Sequence, residues 1–90
     1  MKDIFSVKWD WREDGNIDSG LLPEYSETEE DAIRLILEPD FLSRKKEWVE
    51  RYGKDKVVEF SEGGYRSLAV DETGDYIDIE VYRLVPVKKT

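Results

Sequence analysis

Phe5, Val7, Trp9 and Trp11 alternate with Ser6, Lys8 and Asp10 along one short stretch. A side-chain period of two belongs to a β-strand with one buried face. The same alternation returns near the other end of the chain. There Ile77, Ile79 and Val81 point one way, and Asp78, Glu80 and Tyr82 point the other. Strands with one dry and one wet face need an antiparallel sheet with something apolar laid on the dry side.

The rest of the chain supplies the missing parts. Glu13-Asp14-Gly15-Asn16 holds an Asp-Gly turn signal after the first strand. Ile17 to Leu22 then predicts a short return strand, placed at an edge or replaced by a loop, because Ser19-Gly20 and Pro23 weaken it. A helix is expected to start at Ser26 or Thr28, since both Ser26/Glu29 and Thr28/Asp31 have capping-box spacing. Ala32, Ile33, Ile36 and Leu37 form its apolar stripe, and Pro39 is expected to end it. A second helix is expected from about Asp40 to Tyr52, with Phe41, Leu42, Trp48, Val49 and Tyr52 on one face and Gly53 as its cap. Lys56 to Ser61, Tyr65 to Val70 and Tyr76 to Val85 read as strands, joined by turns at Gly63-Gly64 and Glu72-Thr73-Gly74-Asp75. Pro86 and the Lys88-Lys89-Thr90 tail are expected to end the ordered chain. The expected fold is one α+β domain over residues 1–90, in the order β(β)ααβββ. A mostly antiparallel sheet of four to five strands carries two helices on one face.

Composition removes several kinds of chemistry. The 90 residues include no Cys and no His. Thiolate metal sites, disulfides, cysteine nucleophiles and imidazole acid–base catalysis are therefore excluded. Three Trp, three Phe and five Tyr argue for a packed core despite 40% charged residues. No run approaches the ~20 apolar residues of a membrane span. Behind Met1-Lys2-Asp3 there is no apolar stretch of signal-peptide length, so a cytoplasmic location is expected.

The net charge of -8 is unevenly spread. Glu13 to Asp31 holds eight acids and no Lys or Arg, whereas Arg44 to Lys56 holds six bases and three acids. Val57 to Glu80 holds seven acids against Arg66 alone. Helix-start and turn chemistry explains Glu27 to Asp31, Asp14 and Asp75. It explains Asp78 and Glu80 less well, because they sit on an outward strand face.

Motifs for chemistry fail on their particulars. Asp10 to Leu21 matches a calcium loop at Asp10, Asp14, Gly15 and Ile17. Arg12 replaces an oxygen ligand, however, and Leu21 replaces the bidentate Glu. Pro39-Asp40 resembles the start of a metal-nuclease signature, but no Lys has an acid two residues before it. The phosphate-loop pattern is missing. Trp9 and Trp11 as a base-stacking platform would need a basic groove beside them. Their alternation with Phe5 and Val7 assigns them to a core face instead.

These readings lead to no catalytic residue, no metal and no cofactor. The expected function is non-catalytic binding, with no direct nucleic acid and no membrane. An acidic surface docks on a basic protein, such as a nuclease or other nucleic-acid-binding protein, and imitates its charged substrate. Small acidic inhibitors carried by phages and mobile elements, anti-CRISPR proteins among them, are similar in size and charge. The expected contact residues are Asp14, Asp18, Glu24, Tyr25, Glu27, Glu30, Tyr76, Asp78, Glu80 and Tyr82. The alternative is a small adaptor that binds a protein partner without mimicry, or forms a homodimer through a sheet edge or helix face.

Overall fold

The computed structural model describes residues 3–84. In chain order these form β1 (Ile4–Glu13), β2 (Asn16–Leu21), a helix α1 over residues 29–52, β3 (Val57–Glu62), β4 (Tyr65–Val70) and β5 (Asp75–Leu84). The sheet has five strands in the order β2-β1-β5-β4-β3, and every neighbouring pair is antiparallel. The α+β class is as expected. The Pro86 to Thr90 tail lies outside the described residues.

The turn residues set the hairpins. Asp14 and Gly15 have φ of 53° and 82°, the two positive values of a two-residue turn whose twist matches its strands. Glu13 therefore faces Asn16, and β2 is a real edge strand. The chain then turns back along β1 once more. The Ser6 hydroxyl shares its one proton between the carbonyls of Leu22 at 3.0 Å and Glu24 at 2.8 Å, and Phe5 and Ser26 exchange backbone hydrogen bonds.

The expectation of two helices is wrong: α1 is continuous through Pro39. It begins at Thr28, whose Oγ1 accepts from the Asp31 N–H at 3.1 Å, with Glu29, Glu30 and Asp31 in the first turn. Pro39 in a regular α-helix lacks a donor, and its ring meets the carbonyl four residues back. Here Ile33–Leu37 is a π turn, and the Glu38 N–H reaches the Ile33 carbonyl five residues back. That wider turn takes the ring out of register with the carbonyl four residues back, and Pro39 stands at the start of the regular segment Glu38–Tyr52 that follows it. Gly53, with φ of 95°, ends it.

Registers define the two faces of the sheet. Val7 faces Val81, Trp9 faces Ile79, Trp11 faces Ile77, and Leu68 faces Ile77 from the other side. This face is covered by α1 through Ala32, Ile36, Leu37, Phe41 and Trp48. Trp9 and Trp11 pack against this core, as their alternation predicts. Gly20 lies opposite Trp9, and a Cβ there would stand 2.9 Å from the indole ring. Gly20→Val is therefore expected to cost about 1–3 kcal/mol, read as a lower urea midpoint. A neutral result would mean that the Trp9 ring does not rest on β2.

Candidate functional site

No described helix lies on the opposite face of the sheet. Three rows of side chains cross it. Val58, Ala69, Tyr76, Arg12 and Ile17 make one row, and Phe60, Ser67, Asp78, Asp10 and Ser19 the next. The third is Glu62, Tyr65, Glu80, Lys8 and Leu21. Tyr82 follows along β5, opposite Ser6. Val58 and Phe60 are each 53% exposed and Tyr82 is 45% exposed.

Asp10 and Asp78 stand directly opposite each other at the centre of this face. Like charges in that position destabilise a sheet, by a few tenths to about 1 kcal/mol. Asp78 is held from the side, where the Tyr65 hydroxyl donates to its Oδ1 at 2.9 Å. Burial, then donation to Asp78, pushes the Tyr65 hydroxyl above its ordinary pKa. Phe60 meets the Tyr65 ring edge-on at 5.9 Å. A shallow hollow of about 240 Å³ is lined by Lys8, Ser19, Gly20, Leu21 and Tyr82 beside these rows.

The ion pairs lie elsewhere. Among the described residues they join Arg34 to Asp31, Arg44 to Asp40, Lys45 to Glu59, Arg51 to Glu13 and Glu47, Lys56 to Glu72, Arg66 to Glu38 and Arg83 to Asp3. None includes Asp10, Asp78 or Glu80. Lys8 and Arg12 are the bases on this face, set opposite Glu80 and Tyr76 without closing an ion pair.

The structure gathers four of the ten expected contact residues. Tyr76, Asp78, Glu80 and Tyr82 line one strand of the uncovered face. Glu24 and Tyr25 adjoin its end, because Ser6, opposite Tyr82, binds the loop that carries them. The others lie apart. Asp14 is in the β1–β2 turn, and Asp18 points to the helix side of the sheet, opposite Trp11. Glu27 precedes α1, and Glu30 is in its first turn. Asp10, Lys8, Tyr65, Phe60 and Val58 share the face and were not among the expected contact residues.

A different polar cluster pins the far end of α1. Tyr52 donates to Asp75 Oδ2 at 2.9 Å, and the Asp14 N–H donates to Asp75 Oδ1 at 3.2 Å. Trp11 donates to Glu13 at 3.1 Å, and Arg51 pairs with the same carboxylate. Burial alone would raise the Asp75 carboxyl. Hydrogen bonds from Tyr52, Thr73 and the Asp14 backbone outweigh it, and the pKa lies below the usual carboxylate value. Burial, then the bond to Asp75, raises Tyr52.

No group of three or more acids converges as a metal site among the described residues, and the calcium-like residues Asp10 and Asp14 are split between strand and turn. No described helix is long and apolar enough to cross a membrane. No protein-family model, curated protein or solved structure matches the chain.

Proposed function

We propose that this is a non-catalytic binding domain whose uncovered sheet face docks on a basic protein. The observation that supports it best is the Asp10–Asp78 pair at the centre of that face. A fold gains nothing from two facing carboxylates, and a cationic partner would convert their repulsion into attraction. Glu80 lies about 7 Å further along β5, one strand repeat away. Tyr65, Tyr76 and Tyr82 surround these acids with the residue type most useful at interfaces, apolar in body and polar at the tip.

The fullest form of this reading is inhibition. The partner is a nuclease or other nucleic-acid-binding protein, the acids occupy its basic groove, and a phage-borne inhibitor is the type. The contact set differs from the one expected from sequence. It is centred on Asp10, Asp78, Glu80, Tyr76 and Tyr82, with Glu24 and Tyr25 at the margin. Asp14, Asp18, Glu27 and Glu30 fall outside it.

The test captures host proteins on the immobilised chain at low salt and asks whether the captured protein loses its labelled DNA or RNA when free chain is added. Asp10→Asn/Asp78→Asn/Glu80→Gln is expected to weaken that competition about tenfold or more, equivalent to about 1.4 kcal/mol, and to flatten its salt dependence. Glu27→Gln/Glu30→Gln is expected to compete as the parent does. The triple variant should also unfold at higher urea, since the facing charges are gone. Undiminished competition by a folded triple variant would sink the proposal.

A further inference from the structure

We infer that two copies of this chain pair edge to edge through β3, in an antiparallel register centred on Glu59. This goes beyond docking on a basic partner and rests on the β3 edge, with Val58 and Phe60 at the margin of the uncovered face. β3 is an outer strand of the sheet. Natural edges are blunted by charged side chains, lysine above all, by proline, by bulges or by very short length. The charges on β3 are Glu59, already paired with Lys45, and Glu62 at the strand's end. β3 runs six residues, VVEFSE, with no Lys and no Pro, and its pairing with β4 is unbroken from Val57 to Glu62.

The direction of its free backbone groups follows from one hydrogen bond. The Val81 N–H donates to the Gly64 carbonyl at 2.8 Å, so Gly64 turns its polar groups to β5. Successive residues of a strand turn theirs to opposite sides. Tyr65 therefore bonds to Glu62 across the hairpin, and Phe60 and Val58 follow the same side. Val57, Glu59 and Ser61 then present their N–H and C=O groups outward, to no strand among the described residues.

A second copy satisfies these groups when Glu59 lies on the two-fold axis. Glu59 then faces Glu59 of the other copy, and Val57 faces Ser61. On the uncovered face, each exposed Val58 packs against the other copy's exposed Phe60. Lys56, just before the strand and paired with Glu72 in its own copy, comes beside Glu62 of the other copy, so that one ammonium bridges two carboxylates at each end. The facing Glu59 carboxylates are each paired with Lys45 at 2.8 Å, which offsets their repulsion. Moving the axis to Val58 or Phe60 breaks the Val58–Phe60 match and brings Lys56 opposite Phe60 or Gly64.

The absence of native cysteine gives a clean test. Facing residues in a hydrogen-bonded antiparallel pair have Cα atoms about 5.5 Å apart, within disulfide reach. Glu59→Cys should form a disulfide-linked dimer under mild oxidation, while Val58→Cys and Phe60→Cys should remain mostly uncrosslinked. Unmodified protein should approach twice 10.6 kDa by light scattering as its concentration rises. Phe60→Lys should stay at the monomer mass, with circular dichroism confirming its fold. Ile17→Lys, on the opposite edge, should still dimerise. Preferential crosslinking through residue 58 or 60 would overturn the register. A monomer mass up to about 1 mM, with Glu59→Cys uncrosslinked, would overturn the pairing itself.

Discussion

Trp48→Ala is expected to lower the free energy of unfolding by about 3–5 kcal/mol. Trp48 is 4% exposed and meets the Tyr52 ring edge-on at 5.5 Å, so its removal strips both apolar burial and a ring contact from the seat of α1. A domain of this size holds on the order of 5–15 kcal/mol in total, and small domains sit toward the low end. The variant should therefore be close to unfolding at room temperature. Urea titration reads this as a large fall in midpoint with little change in slope. Leu42→Ala, on the same helix but 56% exposed, should move the midpoint by less than about 0.5 kcal/mol equivalent. Equal effects from the two would mean that α1 is not seated on the sheet through Trp48.

The strands were legible because their evidence is local. Phe5 to Trp11 and Ile77 to Val81 show their dry face in the spacing alone, and Asp14-Gly15 names its turn. The helix break was misread because the rule about proline concerns a regular α-helix. A π turn at Ile33–Leu37 removes the clash by widening the preceding turn, and nothing in the neighbouring residue types announces it. One strand of the uncovered face was legible for the same local reason. Tyr76, Asp78, Glu80 and Tyr82 belong together because one strand carries them. Asp10 was read as a wet-face residue, but its opposition to Asp78 depends on β1 pairing with β5, which joins the two ends of the chain. Tyr65 and Phe60 were hidden likewise until the registers of β3, β4 and β5 were fixed. The acidic run from Glu13 to Asp31 is not one surface in the fold. Contiguous in sequence, it divides in space among the Arg51 pair, a turn, the helix side of β2 and the start of α1.

Stability should also fall at both ends of the pH scale, and two tyrosines and one aspartate set where. Asp75 has a folded-state pKa below its ordinary value of about 3.9. Its contribution is complete above that value and disappears as pH falls through the lowered one. Tyr52 and Tyr65 have pKa values above the ordinary value of about 10. Their contribution is complete below pH ~10 and is lost as pH rises through the raised values. Lysine ion pairs also weaken at high pH, so the differences between variants carry the test. Tyr52→Phe removes the largest of the hydrogen bonds that hold Asp75 down, so it should reduce the acid limb as well as its own share of the alkaline limb. Tyr65→Phe should reduce its own share of the alkaline limb and leave the Asp75 share of the acid limb in place, because Tyr65 makes no bond to Asp75. Asp75→Asn should flatten the acid limb and move the Tyr52 share of the alkaline limb to lower pH. Urea midpoints from about pH 2 to pH 11 read all three variants. If Tyr52→Phe leaves the acid limb unchanged, the bond from its hydroxyl does not set the titration of Asp75. The clasp at the end of α1 would then have to rest on Glu13 and Arg51 instead.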